Sequence, residues 1–519
     1  MTEAPASESL TRPSAGRPTR IAVIGAGLSG MATAAQLRRL ADQHGLALDC
    51  QVFEATDQIG GVIGTEIVEV PGQGRFVIDH GADMFTTQPA AALELCRAMG
   101  VEHRLLKPSI EGRGAMIAAG NRLIPIPEGF VLMRPTKIGS MIRTPLLSWQ
   151  GKLRLLAERF VRPRPASLTD ESVGSFVRRR LGDECLDRLV APLVAGIYTA
   201  DVDRLSMAAT MNPIWQMEAE HGSLMAATLH RRRQGEDRTE AISSGARYEN
   251  FRAFPNGMAE LFETMAEYVG RDRIRLGRRV EAMACTGEGT VRLLPSGQVF
   301  DRVILALPAP ASAAILSTLK VDSHPNHPSD QQTEKIQTAG EEVARRLTGI
   351  PMASTAIVVM AVRRDCLSRL PSTFGFVVPP REGRAVLAGS FASEKFAGRA
   401  PKDYVIVRAF VGGMLQPEIL QRPDEQLIEI VRSELADWIG MDRNSPIEQI
   451  APVVRVVRWD RAMPQYEVGH VALADAVEQS MAAIPSIHLS GNALRGVGIA
   501  PLVAAAGRRA EQLLQIKFG

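Results

Sequence analysis

Short apolar runs that end at glycine or proline mark the first predicted strands of the chain. Residues 20–25 predict a buried strand that leads into a glycine-rich turn, and residues 32–40 continue as a helix of good helix formers. Residues 49–54 and 302–307 predict further short strands. A strand, a helix and a second strand in this order are typical of a parallel βαβ unit.

The same pattern returns at the end of the chain, where residues 486–489 predict a strand and residues 501–514 a closing helix. Pieces of one parallel sheet then lie at both ends and in the middle, so that domain is predicted to be discontinuous. Residues 353–362 and 374–378 predict strands of a second sheet. Apolar residues at helical spacing within 148–210 predict a mainly helical domain.

Two polar stretches interrupt these patterns. Residues 230–250 are rich in Arg, Gln, Glu and Ser, and residues 322–342 hold few large apolar side chains. Both stretches are predicted to be loops or partly disordered segments. His324 and His327 lie in the second stretch without a framework of further ligands, so we expect no metal site there.

The composition is that of an ordinary soluble globular protein. Of 519 residues, 45% are hydrophobic and 23% are charged, and a net charge of +3 is too small to indicate nucleic acid as a partner. Five cysteines without a C-x-x-C pair argue against a disulfide framework and favour a cytoplasmic location. Residues 1–18 are predicted to form a disordered tail, and no apolar run reaches the ~18 residues that a membrane-spanning helix needs.

A Gly-x-Gly-x-x-Gly motif follows the first strand and opens the first helix. Gly25 allows the tight turn, Gly27 lets the backbone approach a pyrophosphate, and Gly30 allows the helix to pack closely on the strand. Glu54 ends the second strand, where an acidic side chain accepts hydrogen bonds from an adenosine ribose. Motif, strand, helix and acid together predict a bound dinucleotide.

A second glycine pair favours FAD over NAD. Gly60 and Gly61 follow Glu54 and precede Thr65, and such a pair lets the chain fold back beside the pyrophosphate of an extended FAD. Many flavin oxidases carry a basic residue directly after this pair, where this chain has Val62. An ordinary loop is the alternative interpretation of the pair.

A third glycine-rich segment, residues 491–498, precedes the closing helix. Gly491, Asn492 and Val497 are predicted to lie against the flavin ring, where backbone N–H groups can stabilise negative charge on the reduced flavin. A plain turn with a helix N-cap is the alternative. Three separated signals in the expected order favour FAD. We expect it to be held without a covalent link, because no attachment motif is apparent near Gly491.

Longer stretches resemble the oxygen-dependent protoporphyrinogen oxidase family, which includes bacterial coproporphyrinogen oxidases. The matching stretches are IAVIGAGLSGMATA (21–34), FEATDQIGGVIGT (53–65), DHGADMF (79–85), ESVGSFVRRRLGDE (171–184), PLVAGIYTADVDRLSMAAT (192–210), FGFVVP (374–379), RWDRAMPQYEVGH (458–470) and LSGNALRGVGI (489–499). The segment 192–210 is the most specific, because it separates this family from monoamine oxidases and carotenoid desaturases.

The resemblance implies oxidation of a porphyrinogen, either protoporphyrinogen IX or coproporphyrinogen III, in late haem biosynthesis. Six electrons leave the tetrapyrrole, and oxygen reoxidises the flavin with release of hydrogen peroxide. The sequence does not choose between the two substrates. It also leaves open a flavin amine oxidase, a carotenoid-type desaturase and a flavoprotein that binds porphyrin without turnover.

The resemblance also assigns residues to the substrate. Asp83 stands where related enzymes place a polar residue near the substrate, and the backbone carbonyl of Gly196 is expected to face pyrrole N–H groups. Phe376 is expected to stack on a pyrrole ring, with plain packing inside the sheet as the alternative. Val280 is the remaining residue that we assign to the cofactor.

Together these observations predict an α/β fold with α+β insertions. It comprises a discontinuous Rossmann-type FAD-binding domain, a mixed-sheet substrate domain and a mainly helical domain. The predicted bounds are 1–18 for the tail, 19–90, 250–310 and 480–519 for the FAD-binding domain, 91–134, 211–249 and 311–479 for the substrate domain, and 135–210 for the helical domain.

The helical domain is where we expect any peripheral contact with the cytoplasmic face of a membrane. Apolar Leu146, Leu147 and Trp149 lie beside the cations Lys152 and Arg154, a mixture that suits the headgroup boundary. The alternative is that these apolar side chains pack inside the domain. The sequence does not distinguish a monomer from a homodimer.

Overall fold

A five-stranded parallel sheet forms the centre of the computed structural model, which describes residues 17–131, 133–234, 246–322 and 330–516. In spatial order its strands are Ile274–Arg275, Leu48–Phe53, Thr19–Ile24, Arg302–Leu305 and Ile487–Leu489. Every neighbouring pair is parallel. The four strands predicted for this sheet are therefore confirmed, with small differences at their ends.

Both faces of the parallel sheet are buried, as the apolar run of its first strand requires. Ile21 and Val23 belong to one apolar cluster, and Ala22 and Ile24 belong to another, because successive side chains of a strand point to opposite faces. The helices that contribute to the first cluster are Leu28–His44, Ala91–Ala98, Ala259–Val269 and Ile499–Leu514.

A small four-stranded sheet covers the second face. Its strands in spatial order are Val299–Phe300, Val291–Leu294, Ala282–Cys285 and Lys320–Val321. The helix Asp330–Thr348 packs in the same cluster, with Ala339, Val343 and Leu347 buried. The prediction of a loop over 322–342 is wrong from residue 330 onwards, because apolar residues spaced by four suffice for one helical face.

A seven-stranded mixed sheet forms the predicted substrate domain. Its strands in spatial order are Val453–Pro464, Met352–Arg363, Tyr404–Gly412, Val386–Phe391, Gly375–Val377, Met116–Ala119 and Arg122–Pro125. Only the pair Gly375–Val377 with Met116–Ala119 is parallel among the described strands of this sheet. The helix Asp424–Ile439 buries its apolar side on one face.

The helical part of the chain is longer than predicted. Its α-helices are Ile138–Arg143, Trp149–Leu156, Val173–Leu181, Asp183–Cys185, Ala191–Tyr198, Met207–Thr210, Asn212–His221 and Leu224–Arg233. Trp215 and Leu224 share one buried cluster with Phe176 and Leu189, so the helical core continues beyond residue 210. Within the described ranges, no helix combines the length and apolar character needed to cross a bilayer.

Short elements connect these layers. The remaining strands pair as Thr65–Val70 with Gly74–Asp79, Phe85–Thr86 with Phe251–Arg252, and Phe130–Val131 with Arg134–Pro135. Within the described residues, the remaining α-helices are Ala246–Glu249, Ala309–Leu316, Ala392–Lys395, Ile447–Ile450 and His470–Met481. His324 and His327 lie outside the described residues.

Candidate active site

The first glycine motif forms a cradle at the carboxyl end of the parallel sheet. Gly25 has a positive φ of 103°, and a Cβ on Gly30 would lie 1.8 Å from the Gly25 carbonyl oxygen. Both positions therefore require glycine. Gly27 differs, because a Cβ built there would meet no atom within 4 Å. The open space beside Gly27, at the start of the helix Leu28–His44, fits a pyrophosphate held by backbone N–H groups.

The second glycine pair lies directly against the first motif. The Gly60 N–H donates to the Ala26 carbonyl at 2.9 Å, and Gly27 and Gly60 form an isolated parallel bridge. A Cβ on Gly61 would lie 3.4 Å from the Gly27 Cα, so any larger side chain would crowd the cradle. The two motifs thus form one wall, which is the arrangement that an extended FAD needs.

Glu54 closes this wall from the second strand. Its Oε2 accepts from the Ala26 N–H at 2.8 Å, and its Oε1 accepts from the Thr56 N–H and hydroxyl, both at 2.9 Å. Oε2 accepts only one of these hydrogen bonds and keeps a further lone pair, so a ribose hydroxyl can still donate to Glu54. Val280 closely follows Arg278, whose N–H donates to the Glu54 carbonyl at 2.7 Å. Val280 is thereby brought to the same end of the sheet.

The segment 491–498 approaches this end from the last strand. The Ser490 and Thr33 hydroxyls are 3.2 Å apart, which ties the segment to the first helix. A Cβ on Gly491 would lie 3.6 Å from the Leu307 carbonyl oxygen. The structure therefore brings all three glycine-rich segments together. The predicted cofactor residues in this last segment are Gly491, Asn492 and Val497.

The Thr65 side chain makes its hydrogen bonds within the protein. Its hydroxyl donates to Asp79 Oδ1 at 2.7 Å and accepts from the Ala259 N–H at 3.0 Å. Asp79 Oδ1 also accepts from the Met258 N–H at 2.8 Å. Thr65 and Asp79 therefore anchor the start of the helix Ala259–Val269, and a direct contact of Thr65 with FAD stays a prediction.

Asp83 lies in a group of buried charges that joins the loop after the strand Gly74–Asp79 to the seven-stranded sheet. Asp83 Oδ2 is 2.8 Å from Lys395 Nζ and 3.0 Å from Arg408 Nη1. Arg399 Nη1 lies 3.1 Å from Asp79 Oδ2. All five side chains are less than one-tenth exposed. We call Asp79, Asp83, Lys395, Arg399 and Arg408 the buried ionic cluster.

The charge balance of the buried ionic cluster keeps Asp83 ionised. Burial by itself raises the pKa of the Asp83 carboxyl, but the charges of Lys395 and Arg408 outweigh it, and the pKa lies well below its usual range. Arg408 also donates to the Gly81 carbonyl, which fixes the loop that leads to Asp83. Asp83 is thus tied to protein cations, and its contact with a substrate stays a prediction.

Gly196 and Phe376 do not converge on one surface. A Cβ on Gly196 would lie 3.0 Å from Val377 Cγ1, so the helix Ala191–Tyr198 packs directly on the seven-stranded sheet. Phe376 is 2% exposed, and its ring lies 5.3 Å from that of Trp438 within the core. The expected stacking of Phe376 on a pyrrole ring is therefore corrected to plain sheet packing. Val377 is the residue of this strand that faces Gly196.

Tyr466 and His470 are residues of this region that the sequence prediction missed. The Tyr466 hydroxyl donates to the Asn492 carbonyl, and His470 Nε2 lies 2.9 Å from the Leu494 carbonyl oxygen. Both contacts are made to the segment that we expect to face the flavin. The signal was present, since both residues belong to the stretch PQYEVGH, which carries part of the resemblance. Their backbone contacts could not be inferred from sequence spacing.

Comparison with known proteins covers nearly the whole chain. A family model described as flavin containing amine oxidoreductase matches residues 28–514. The coproporphyrinogen III oxidase of Bacillus subtilis (strain 168) is 28% identical over 482 residues, which cover 92% of this chain and 94% of that protein. The chloroplastic/mitochondrial protoporphyrinogen oxidase 2 of Arabidopsis thaliana is 24% identical, with 95% of this chain and 94% of that protein covered.

A solved structure agrees with these matches. The crystal structure named "Putative protoporphyrinogen oxidase" from Exiguobacterium sp. 255-15 superimposes with a TM-score of 0.75 and 26% identity. It covers 96% of this chain and 99% of the other. The predicted fold class, the FAD cofactor, the oxidoreductase class and the resemblance stated from the sequence are confirmed. This chain belongs to the flavin containing amine oxidoreductase family.

Proposed function

We propose that the chain oxidises a porphyrinogen to the corresponding porphyrin, with FAD as cofactor and molecular oxygen as final acceptor. The observation that carries this proposal is the likeness to relatives named for porphyrinogen oxidation over more than nine-tenths of the chain. The segment 192–210, which distinguishes porphyrinogen oxidases from amine oxidases in sequence, supports it. Its helix Ala191–Tyr198 packs on the seven-stranded sheet, where a substrate domain is expected.

The reaction removes six electrons and six protons from the macrocycle. FAD, when bound, supplies a two-electron acceptor that oxygen reoxidises with formation of hydrogen peroxide. Each porphyrin therefore requires three turnovers, consumes three molecules of oxygen and releases three of hydrogen peroxide. Porphyrinogens are readily oxidised, so the task of the protein is orientation and exclusion of water.

The chain's own contacts suit that task. The buried ionic cluster ties the loop of Asp83 to the seven-stranded sheet, and Arg408 holds the carbonyl of Gly81 in that loop. A Cβ on Gly81 would lie 2.8 Å from both the Val62 carbonyl oxygen and the Trp459 ring, so the loop supports the second glycine pair closely. A support of this kind limits the movement of the cofactor wall against the substrate domain.

We propose coproporphyrinogen III as the better substrate. Two relatives named for it are 28% identical to this chain and a third is 25% identical, and the relatives named for protoporphyrinogen are 24% to 26% identical. Coproporphyrinogen carries two propionates where protoporphyrinogen carries two vinyl groups. Comparing kcat/KM for the two compounds at equal oxygen tests this choice, and a higher value for protoporphyrinogen IX would overturn it.

The function is tested by mixing purified, FAD-loaded protein with each porphyrinogen in air and following porphyrin fluorescence. We expect porphyrin to form many times faster than in the matched Gly27→Ala sample, whose affinity for FAD is expected to be about 100-fold lower. Oxidation of amines without oxidation of porphyrinogen would identify an amine oxidase instead. Porphyrin binding without turnover would identify a non-catalytic porphyrin carrier.

We further propose that the helical part rests on a membrane surface through an exposed apolar set, Trp149, Leu153 and Phe160. These side chains are 70%, 65% and 86% exposed, and Lys152 Nζ lies 4.8 Å from the Trp149 ring centre. An apolar surface beside cations suits the headgroup boundary.

Two residues expected on that surface are not part of it. Leu146 and Leu147 are 2% and 3% exposed and pack in the helical core, as the alternative interpretation holds. The surface itself is tested by flotation with anionic vesicles at low salt. We expect wild type to float and the triple variant Trp149→Ser, Leu153→Ser, Phe160→Ser to stay at the bottom. Equal behaviour of the two would remove the membrane proposal.

A single-residue control comes from another exposed apolar side chain. Ile110 is 81% exposed and lies outside the helical part. The variant Ile110→Ser therefore lowers exposed apolar area without touching the proposed surface, and we expect it to float like wild type. Loss of flotation in this control would show that binding depends on general surface apolarity.

A further inference from the structure

We propose that Tyr466 and His470 are positioning residues that set the backbone orientation of the segment 491–498 beside the flavin. The proposal depends on FAD lying against that segment and not on the identity of the substrate. The two side chains are 3% and 5% exposed, and their rings stack with centres 4.1 Å apart and planes inclined by 17°. They form one rigid, buried unit.

This unit donates hydrogen bonds to alternate carbonyls of the segment. The Tyr466 hydroxyl donates to the Asn492 carbonyl and lies 3.4 Å from that of Gly496, and His470 Nε2 lies 2.9 Å from that of Leu494. A carbonyl oxygen only accepts, so the Nε2 atom carries the hydrogen. Burial raises the pKa of the Tyr466 phenol and lowers the pKa of His470, which keeps both groups neutral donors.

Fixing these carbonyls also fixes the direction of three N–H groups. The peptide bonds of this segment are trans, and across a trans peptide the carbonyl and the following N–H point in opposite directions. The N–H groups of Ala493, Arg495 and Val497 are therefore turned away from the Tyr466–His470 pair. Val497 is one of the residues predicted to contact the flavin, and N–H groups directed at the ring stabilise negative charge on it.

The same stretch of chain is bonded on its other side to the segment 192–210. The Gln465 side-chain amide donates to the Tyr198 carbonyl at 3.1 Å, and the Ser206 N–H donates to the Tyr466 carbonyl at 2.8 Å. The Val468 N–H donates to the Arg204 carbonyl at 2.9 Å. The stretch that carries Tyr466 and His470 is thus hydrogen-bonded both to the segment 491–498 and to the segment 192–210, which we associate with the substrate.

The experiment compares variants that remove or keep each donor. Tyr466→Phe removes one hydroxyl and keeps the ring, His470→Leu removes the Nε2 donor, and His470→Gln keeps a neutral N–H donor of similar reach. Tyr404→Phe is the matched control, because the Tyr404 hydroxyl donates to Gln73 Oε1 at 2.7 Å, away from this segment. The readouts are the two-electron reduction potential of the bound flavin, its affinity for the apoprotein, and kcat separately from KM.

We expect Tyr466→Phe and His470→Leu each to weaken stabilisation of the reduced relative to the oxidised flavin about tenfold, a shift of about 30 mV to more negative potential. We expect kcat to fall with KM within about twofold of wild type, since the change acts on flavin reduction. His470→Gln and Tyr404→Phe are expected to keep the wild-type potential to within about twofold, or about 10 mV.

Unchanged potentials in both Tyr466→Phe and His470→Leu would overturn the proposal. Loss of flavin from His470→Leu supports it only if His470→Gln retains flavin, and loss from both overturns it. If His470→Leu does not fold, Tyr466→Phe alone decides, because it removes a single oxygen atom. The potential is measured without porphyrinogen, so failure of the proposed substrate would leave this result readable.

Discussion

The glycine cradle and the buried ionic cluster hold neighbouring parts of the molecule by opposite means. The cradle is made of backbone, since Gly25, Gly27, Gly30 and Gly60 contribute no side chain. The buried ionic cluster is made of side chains, with Lys395 Nζ bonded to Asp83 across 312 residues of chain. Geometry in the first is set by local sequence, and geometry in the second is set only when distant strands come together.

This difference explains what the sequence could reveal. A backbone site needs particular residues at fixed local spacing, so the motif, the strand before it and Glu54 after it could be recognised together. A side-chain cluster leaves no such spacing. Asp83 was found through a resemblance, but its partners Lys395 and Arg408 carried no signal of their own.

The strongest test of the backbone site contrasts two glycines in one motif. Gly30→Ala puts a Cβ 1.8 Å from the Gly25 carbonyl oxygen, so we expect loss of more than about 4 kcal/mol and little folded protein. A Cβ at position 27 meets no protein atom within 4 Å, and Gly27 has an ordinary φ of −73°. The free energy of unfolding of Gly27→Ala should therefore stay within about 1 kcal/mol of wild type. Chemical unfolding monitored by circular dichroism measures both values.

The cofactor distinguishes the same two variants in a second way. The methyl group of Gly27→Ala occupies the space that fits the pyrophosphate, so we expect its FAD affinity to fall about 100-fold, or about 3 kcal/mol. Flavin fluorescence titration of the apoprotein gives this affinity. Wild-type affinity in a folded Gly27→Ala protein would show that the pyrophosphate does not lie beside Gly27.

The side-chain site is tested by removing one charge from the buried ionic cluster. Asp83→Asn leaves Lys395 and Arg408 facing each other without their carboxylate, and we expect a loss of about 3–5 kcal/mol in the free energy of unfolding. The matched control is Asp42→Asn, because Asp42 pairs with Arg38 at 2.8 Å on a half-exposed helix surface. That control should lose no more than about 0.5 kcal/mol. Equal losses of unfolding free energy in Asp83→Asn and Asp42→Asn would mean that the buried carboxylate stabilises the fold no more than an exposed one.

A smaller effect is expected from pH. His488 lies on the edge strand of the parallel sheet, where burial, with help from Arg509 and Arg302, lowers its pKa to about 3. The unfolded chain takes up this proton near pH 6.5 and the folded chain only near pH 3. The contribution of His488 to the free energy of unfolding is therefore fully present above about pH 6.5. It is lost as the pH falls, by about 2 kcal/mol at pH 5.

The variant His488→Gln isolates this contribution. Its free energy of unfolding should fall less between pH 7 and pH 5 than that of wild type, by about the same 2 kcal/mol. Parallel pH profiles for the two proteins would show that His488 is protonated equally in the folded and unfolded chain. Asp83, whose pKa is lowered, gives no loss over this interval, because its contribution disappears only below the ordinary carboxyl range.

Elsewhere the limits of sequence prediction have equally physical causes. The helix Asp330–Thr348 was missed because its buried face is narrow and most of its residues are polar. Phe376 was assigned to the substrate because aromatic residues suit ring stacking, yet alternation along the strand turns its side chain into the core and Val377 toward Gly196. Leu146 and Leu147 were placed on a surface by composition, which does not report the direction of a side chain.

The central claim, that this chain oxidises a porphyrinogen with FAD and oxygen, is tested most directly by stoichiometry. Porphyrin formed and hydrogen peroxide released are measured in the same aerobic reaction, with coproporphyrinogen III as substrate and catalase-treated samples as controls. The account predicts three molecules of hydrogen peroxide for each porphyrin. In strictly anaerobic samples it predicts no enzymatic oxidation beyond the two electrons that each bound flavin can accept. Porphyrin formation no faster than with flavin-free protein, or turnover that continues without oxygen, would contradict it.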